Sequence, residues 1–176
     1  MTTETVRVPT SDISVQWNRS AGSYNYALID EYPTPNDMDY VTINANNKVD
    51  QLGFSSPGVP TGAEGITLKL FFRSKWQNYD NQELIPRLWV GGAYYEGAEV
   101  AEGADDVWGE DLIEFAVNPA TGTPWTVDDV NGSGAHPLQA IGYRLRRTLG
   151  VRIISQFNLR VLYEPPVVSG ARSFII

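Results

Sequence analysis

Few side chains in this chain could do chemistry, and their spacing disfavours catalysis. The one histidine, His136, sits between Ala135 and Pro137, and there is no cysteine. A nucleophilic triad needs a base beside its Ser or Cys, and a lone loop histidine is far more often solvated than catalytic. No Gly-x-x-x-x-Gly-Lys loop, His-Glu-x-x-His motif or Cys-x-x-Cys pair occurs. Carboxylates gather in one place, where Asp105, Asp106, Glu110 and Asp111 flank Trp108. A glycosidase would need two of them facing each other across a sugar. Calcium would need converging oxygens, and the spacing is not that of an EF-hand loop. A solvated acidic loop is the simpler reading, so no enzyme, metal or cofactor is expected.

The remaining candidates are aromatic. The chain holds five Trp and nine Tyr, and an exposed aromatic ring offers a flat apolar face on which a pyranose can stack. Tyr79, Tyr94, Tyr95 and Trp108 are the candidates for such a glycan platform. Against this stands the ordinary use of Tyr and Trp in cores and protein interfaces, which is the favoured reading.

The elements that must position these residues are short. Sixteen glycines and eleven prolines divide 176 residues, of which only 19% are charged, a texture of all-β domains. Residues 66–74 place Ile66, Leu68, Leu70 and Phe72 on one face, with Thr67, Lys69 and Arg73 on the other. Residues 151–163 place Val151, Ile153, Phe157, Leu159, Val161 and Tyr163 together, opposite Arg152, Gln156, Asn158 and Arg160. A period of two marks a half-buried strand. The second run is long for a strand, which predicts a bulge near Ser155. Residues 84–90 and 93–96 flank Gly91-Gly92 as a hairpin, and 14–17, 26–29, 40–43 and 112–117 supply further strands. Thr126 followed by Asp128 and Asp129 predicts a capped single-turn helix ended at Asn131-Gly132, and a second helical turn is expected over 138–141. The expected fold is an all-β antiparallel sandwich, jelly-roll-like, with one short helix. Residues 13–164 form its single domain, 1–12 an N-terminal arm and 165–176 a C-terminal arm.

A net charge of −8 argues against nucleic acid as the partner. The basic cluster Arg144, Arg146, Arg147 and Arg152 is expected to pair with carboxylates. No apolar run nears the ~20 residues that cross a bilayer, so no membrane is expected as a partner. The opening Met1-Thr2-Thr3-Glu4 lacks the features of a signal peptide, which points to synthesis in a cytoplasm.

One segment carries a resemblance. Asn118-Pro119-Ala120-Thr121-Gly122, Trp125-Thr126, Asp129-Val130-Asn131 and Leu138-Gln139, with Ile29-Asp30-Glu31 and Asp39-Tyr40-Val41 earlier, make residues 13–164 similar to a jelly-roll-like structural domain of tailed-bacteriophage virion proteins. The insert 132–137 departs from that pattern. In structural terms the motif is a braced turn: Pro119 and Pro124 restrict the backbone, Gly122 allows a tight turn and Trp125 closes the sandwich end. The resemblance implies a non-enzymatic virion structural protein, most simply a capsid decoration (cement) protein made in the host cytoplasm and bound outside the head. Its expected partners are the major capsid protein and sister copies, as a trimer or other homo-oligomer. The alternative is a carbohydrate-binding, receptor-binding module of a phage tail fibre or spike. Pro165-Pro166 ends the closing strand, yet the tail carries apolar residues, each forfeiting about 1.5–3 kcal/mol if left in water. Val6, Val8, Val167, Val168, Phe174, Ile175 and Ile176 are therefore the expected interface residues.

Overall fold

In the computed structural model, residues 1–77, 83–100, 104–146 and 150–167 are described. Among the described residues, eleven strands are arranged in two antiparallel sheets: β1 (Thr3–Arg7), β2 (Pro9–Ser14), β3 (Asn18–Arg19), β4 (Val41–Ile43), β5 (Lys48–Phe54), β6 (Glu64–Gln77), β7 (Leu84–Val90), β8 (Ala93–Glu96), β9 (Gly109–Phe115), β10 (Leu138–Leu145) and β11 (Val151–Glu164). One sheet runs β3-β4-β11-β6-β9, with β1 also on β11; the other runs β2-β5-β10-β7-β8. The fold is a jelly-roll-like antiparallel β-sandwich with one short helix, α1 (Val127–Asn131).

The core lies where alternating apolar residues of the two sheets meet. Leu68, Leu70 and Phe72 of β6 are fully buried, as are Leu88 of β7 and Leu145 of β10. Phe72, Phe157 and Tyr143 bridge the layers, with ring centres 4.6 Å apart for Phe72–Phe157 and 5.3 Å for Tyr143–Phe157. Trp17 closes one end edge-on to Tyr143 at 4.8 Å. Beside it lies a polar knot. Buried Asp50 accepts from the Gln16 and Trp17 amides at 2.7 and 3.0 Å, from Asn25 Nδ2 at 2.5 Å and from the Tyr143 hydroxyl at 3.1 Å.

The bulge in β11 falls where the length of the run placed it, the register slipping between Ile154 and Gln156. It also reverses the alternation, so Ile154 rather than Ile153 joins the core with Phe157, Leu159 and Val161. The outward face of β11 is not solvated as expected: Gln156 and Asn158 are buried, and Arg152, on the side of Ile154 once the bulge has reversed the alternation, is buried as well. The chain at residues 29–37 covers this stretch. Ile29 accepts from the Phe157 amide at 2.9 Å, the Glu31 carbonyl accepts from Gln156 Nε2, and Asp37 accepts from Ser155 Oγ at 2.8 Å.

Other elements depart from expectation for identifiable reasons. Residues 138–141 are not a helical turn but the start of β10, which pairs with β7 on one side and β5 on the other; two neighbours with free edges outweigh a short helical spacing. Residues 26–29 form a 3-10 turn (Tyr26–Leu28) rather than a strand. The first twelve residues do not stand off as an arm. β1 pairs with β11 from Thr3↔Tyr163 to Arg7↔Leu159, and β2 pairs with β5. Asp12 then accepts from the Asn25 and Tyr26 amides at 2.9 and 2.8 Å, fastening this segment to the sandwich.

The braced turn and its helix form as read. Thr126 Oγ1 accepts from the Asp129 amide at 3.1 Å, and Gly132 ends the helix at φ 87°. Trp125 is buried, and its indole donates to the Phe115 carbonyl at 2.9 Å. Asn131 grips the Val59 backbone through both its N–H and its C=O, at 2.9 and 2.8 Å.

Candidate functional site

The outer face of the five-stranded sheet gathers the groups able to hold a ligand. In β7, Arg87 and Trp89 alternate with the core residues Leu88 and Val90, so they point outward. In β8, Tyr95 lies opposite Leu88 and packs on the core, whereas Tyr94 lies opposite Trp89 on the outside. The register sets Gln51, Gly142, Arg87 and Glu96 in one row across β5, β10, β7 and β8. Arg144 stands outward two residues along from Gly142. The hairpin between β7 and β8 turns at Gly91-Gly92 with φ 57° and 86°, the positive values that a two-residue hairpin turn needs.

Tyr94 lies down across this row. Its hydroxyl donates to Gln51 Oε1 at 2.5 Å, although β7 and β10 stand between the two strands. Three strand spacings cover about 14 Å, so both side chains must extend along the sheet, and Gly142, which lies in the row between them, brings no side chain into their path. The Arg87 guanidinium sits 4.0 Å from the Tyr94 ring centre, and Trp89 meets that ring at 4.1 Å and 83°. Tyr94 is thus fixed by three neighbours and is still 39% exposed.

The charges beside it are unequal. Glu96 takes a 2.9 Å hydrogen bond from Arg144 Nη2 and faces Arg87 Nε at 3.5 Å. Burial holds the pKa of Arg87 below its ordinary value; Glu96 opposes this and Arg144 reinforces it. The Nε atoms of both arginines are buried without a hydrogen-bond partner. In the rest of the basic cluster Arg146 pairs with the Glu83 carboxylate as expected, while buried Arg152 donates to a neutral group, Ser74 Oγ, at 2.7 Å. Arg147 lies outside the described residues.

The candidate aromatics within the described residues do not form one platform. Tyr79 lies outside the described residues, and Tyr95 faces inward. Trp108 belongs to the opposite face of the sandwich, where Lys75 and Arg73 of β6 lie 5.0 and 5.5 Å from its ring centre. The acidic loop around it is tied to the same strand. Asp106 accepts from Lys75 at 2.7 Å and Gln77 at 2.8 Å, which lowers its pKa, and Glu110 pairs with Arg73 at 3.2 Å. Among the described residues no three His, Asp or Glu side chains converge as a metal site would require. His136 is exposed beside the Gly91 turn. A depression of about 440 Å³ lies on the outside of β6 and β9, lined by Phe71, Glu110, Asp111, Leu112 and Arg160.

Of the expected interface residues, Val6 and Val8 are half-buried within their own chain and Val167 is 92% exposed. Val168, Phe174, Ile175 and Ile176 lie outside the described residues. Sequence reasoning passed over Gln51, Arg87, Trp89, Glu96 and Arg144 as a group. The alternation of Arg87 and Trp89 with Leu88 and Val90 was the available signal.

No family model matches the chain, and no curated protein matches it. Among solved structures it is similar to a mutant of a family 29 carbohydrate-binding module made to probe ligand recognition, at TM-score 0.41 and 10% identity, over 99% of both chains. It is likewise similar to a second structure described as a carbohydrate-binding module of family 29, at TM-score 0.41 and 11% identity, over 93% of this chain and 88% of the other. At these values the likeness gives no residue of this chain a role.

Proposed function

We propose that the protein is a non-catalytic glycan-binding module whose ligand lies on the outer face of the five-stranded sheet. The observation that carries this reading is Tyr94, laid along the sheet and held by Gln51, Arg87 and Trp89 while still partly open to solvent. Holding an aromatic ring in place in advance lowers the ordering cost of binding, and its apolar face suits the C–H face of a sugar. Arg87, Arg144, Gln51 and Glu96 supply donors and acceptors within the same patch, as a sugar's hydroxyls require. In a virion, the setting that the resemblance implies, such a module would serve attachment within a tail fibre or spike. The head-cement expectation turns on Val168 and residues 174–176.

Affinity electrophoresis against a panel of soluble polysaccharides tests the reading. Tyr94→Ala and Trp89→Ala should each weaken binding about 30-fold, the loss of about 2 kcal/mol typical of an aromatic anchor. Trp108→Ala, on the other face, should bind as the unaltered protein does. Binding that survives both Tyr94→Ala and Trp89→Ala, or is absent across the panel, overturns the proposal.

A further inference from the structure

We infer that the ligand at this face is an anionic glycan, whose carboxylate or sulfate group is received by Arg87 and Arg144; this rests on the glycan-binding reading above. Two guanidinium groups share the one carboxylate of Glu96, at 3.5 and 2.9 Å. The longer of these is an ion pair without hydrogen-bond geometry, and Arg87 makes no hydrogen bond through any of its nitrogens among the described residues. A guanidinium with free donors in a fixed planar fork is the group best suited to a carboxylate or sulfate. It is also costly to keep half-buried beside a second cation unless an anion arrives.

The imbalance is local. Two residues beyond Arg144, Arg146 is matched by Glu83, with Glu99 and Glu96 also acting on it. Asp12, on the neighbouring β2, spends both oxygens on the Asn25 and Tyr26 amides. Beside Tyr94 itself, two guanidinium groups face the one carboxylate of Glu96, in a protein whose net charge is −8. A neutral glycan would use these arginines only as hydrogen-bond donors and would leave the second positive charge without a counter-ion. An acidic sugar stacked on Tyr94 would set its charged group next to Arg87, which already lies 4.0 Å from that ring centre.

Binding of the full chain to polygalacturonate, dextran sulfate and neutral galactomannan would be measured in parallel, at low and high sodium chloride. One or both anionic polymers should bind at least tenfold more tightly than the neutral one, and added salt should remove that advantage. The two anionic arms separate a carboxylate ligand from a sulfate one. Arg87→Gln should weaken anionic binding about tenfold, while Glu96→Gln, which releases both arginines from their competitor, should strengthen it several-fold. Opposite signs from two neighbouring substitutions cannot come from damage to the fold. Equal or tighter binding of galactomannan, lost in Tyr94→Ala, would overturn the anionic inference and leave the glycan-binding reading standing. No binding in any arm would overturn both, as would anionic binding indifferent to Tyr94→Ala and Arg87→Gln.

Discussion

Asp50 joins four parts of the chain through one carboxylate. Its oxygens receive the Gln16 and Trp17 amides, Asn25 Nδ2 and the Tyr143 hydroxyl. Replacing it with alanine leaves four donors without that acceptor, a cost of at least about 3 kcal/mol. The thermal midpoint of Asp50→Ala should accordingly fall by roughly 6–12 °C. Burial raises the Asp50 pKa above its ordinary value, more than its hydrogen bonds lower it. A raised folded-state pKa means that the folded state holds the proton more tightly, so its contribution is full below the unfolded value near 3.8 and is lost as pH rises through the folded one. Compared with Asp50→Asn, the unaltered protein should therefore lose stability as pH rises across that window. A constant difference between the two in chemical denaturation from about pH 3 to 7 would show that the carboxyl does not titrate there.

Among elements, the segment at residues 29–37 matters most, because it covers the outward face of β11. Its clasp is Asp37, which receives Arg73 Nε and Nη2 at 2.8 and 2.7 Å and Ser155 Oγ at 2.8 Å. The Arg73 hydrogen bond lowers the Asp37 pKa foremost, so this clasp is present above the ordinary carboxylate range and is lost as pH falls through the folded value. Asp37→Ala should cost about 1–2 kcal/mol, a charged hydrogen bond discounted for partial exposure. It should also speed hydrogen exchange in residues 29–37 without affecting the Leu88 and Ile141 amides of the other sheet. Uniform acceleration throughout the protein would mean that the clasp belongs to the global unfolding unit.

What could be read from the residues follows from the same elements. β6 and β11 were legible because alternation over a long run has no helical equivalent, and the excess length of β11 foretold its bulge. The change of face at Ser155 was not legible, since one inserted residue leaves the composition of the run unaltered. The start of β10 resembles a helical turn, and only its two partner strands decide otherwise. The site was half legible. Tyr94 and Tyr95 are neighbours in sequence, and only the pairing of Tyr94 with Trp89 and of Tyr95 with Leu88 tells which one faces out. Trp108 is a glycan candidate by residue type alone, while its ring is attended by two cations from β6.

At the scale of the whole molecule, one edge of β11 is divided. β4 takes Arg152 to Ile154, β1 takes residues 159–163, and Ile29 fills the interval between them. Removing residues 1–8 would bare the upper part of that edge and release its apolar cross-strand contacts. An exposed strand edge is a template for pairing with other chains, so the truncated protein should melt several degrees lower and scatter light at concentrations where the full chain stays clear. An unchanged midpoint would mean that β1 adds nothing to the sandwich.

The pairing of Thr3 with Tyr163 has a consequence for how this molecule is made and how it can be carried. The first strand finds its place only after the last has been synthesised, so the six-stranded sheet cannot close while the chain is still emerging. Contacts so distant in sequence make for slow folding. The same pairing brings the points where the chain enters and leaves the sandwich within about 5 Å of each other. A short linker there, with new ends opened at Gly91-Gly92, should give a circularly permuted protein with the same sheets. For the same reason, the unit could sit as an insertion within a loop of a larger polypeptide without prying that host apart.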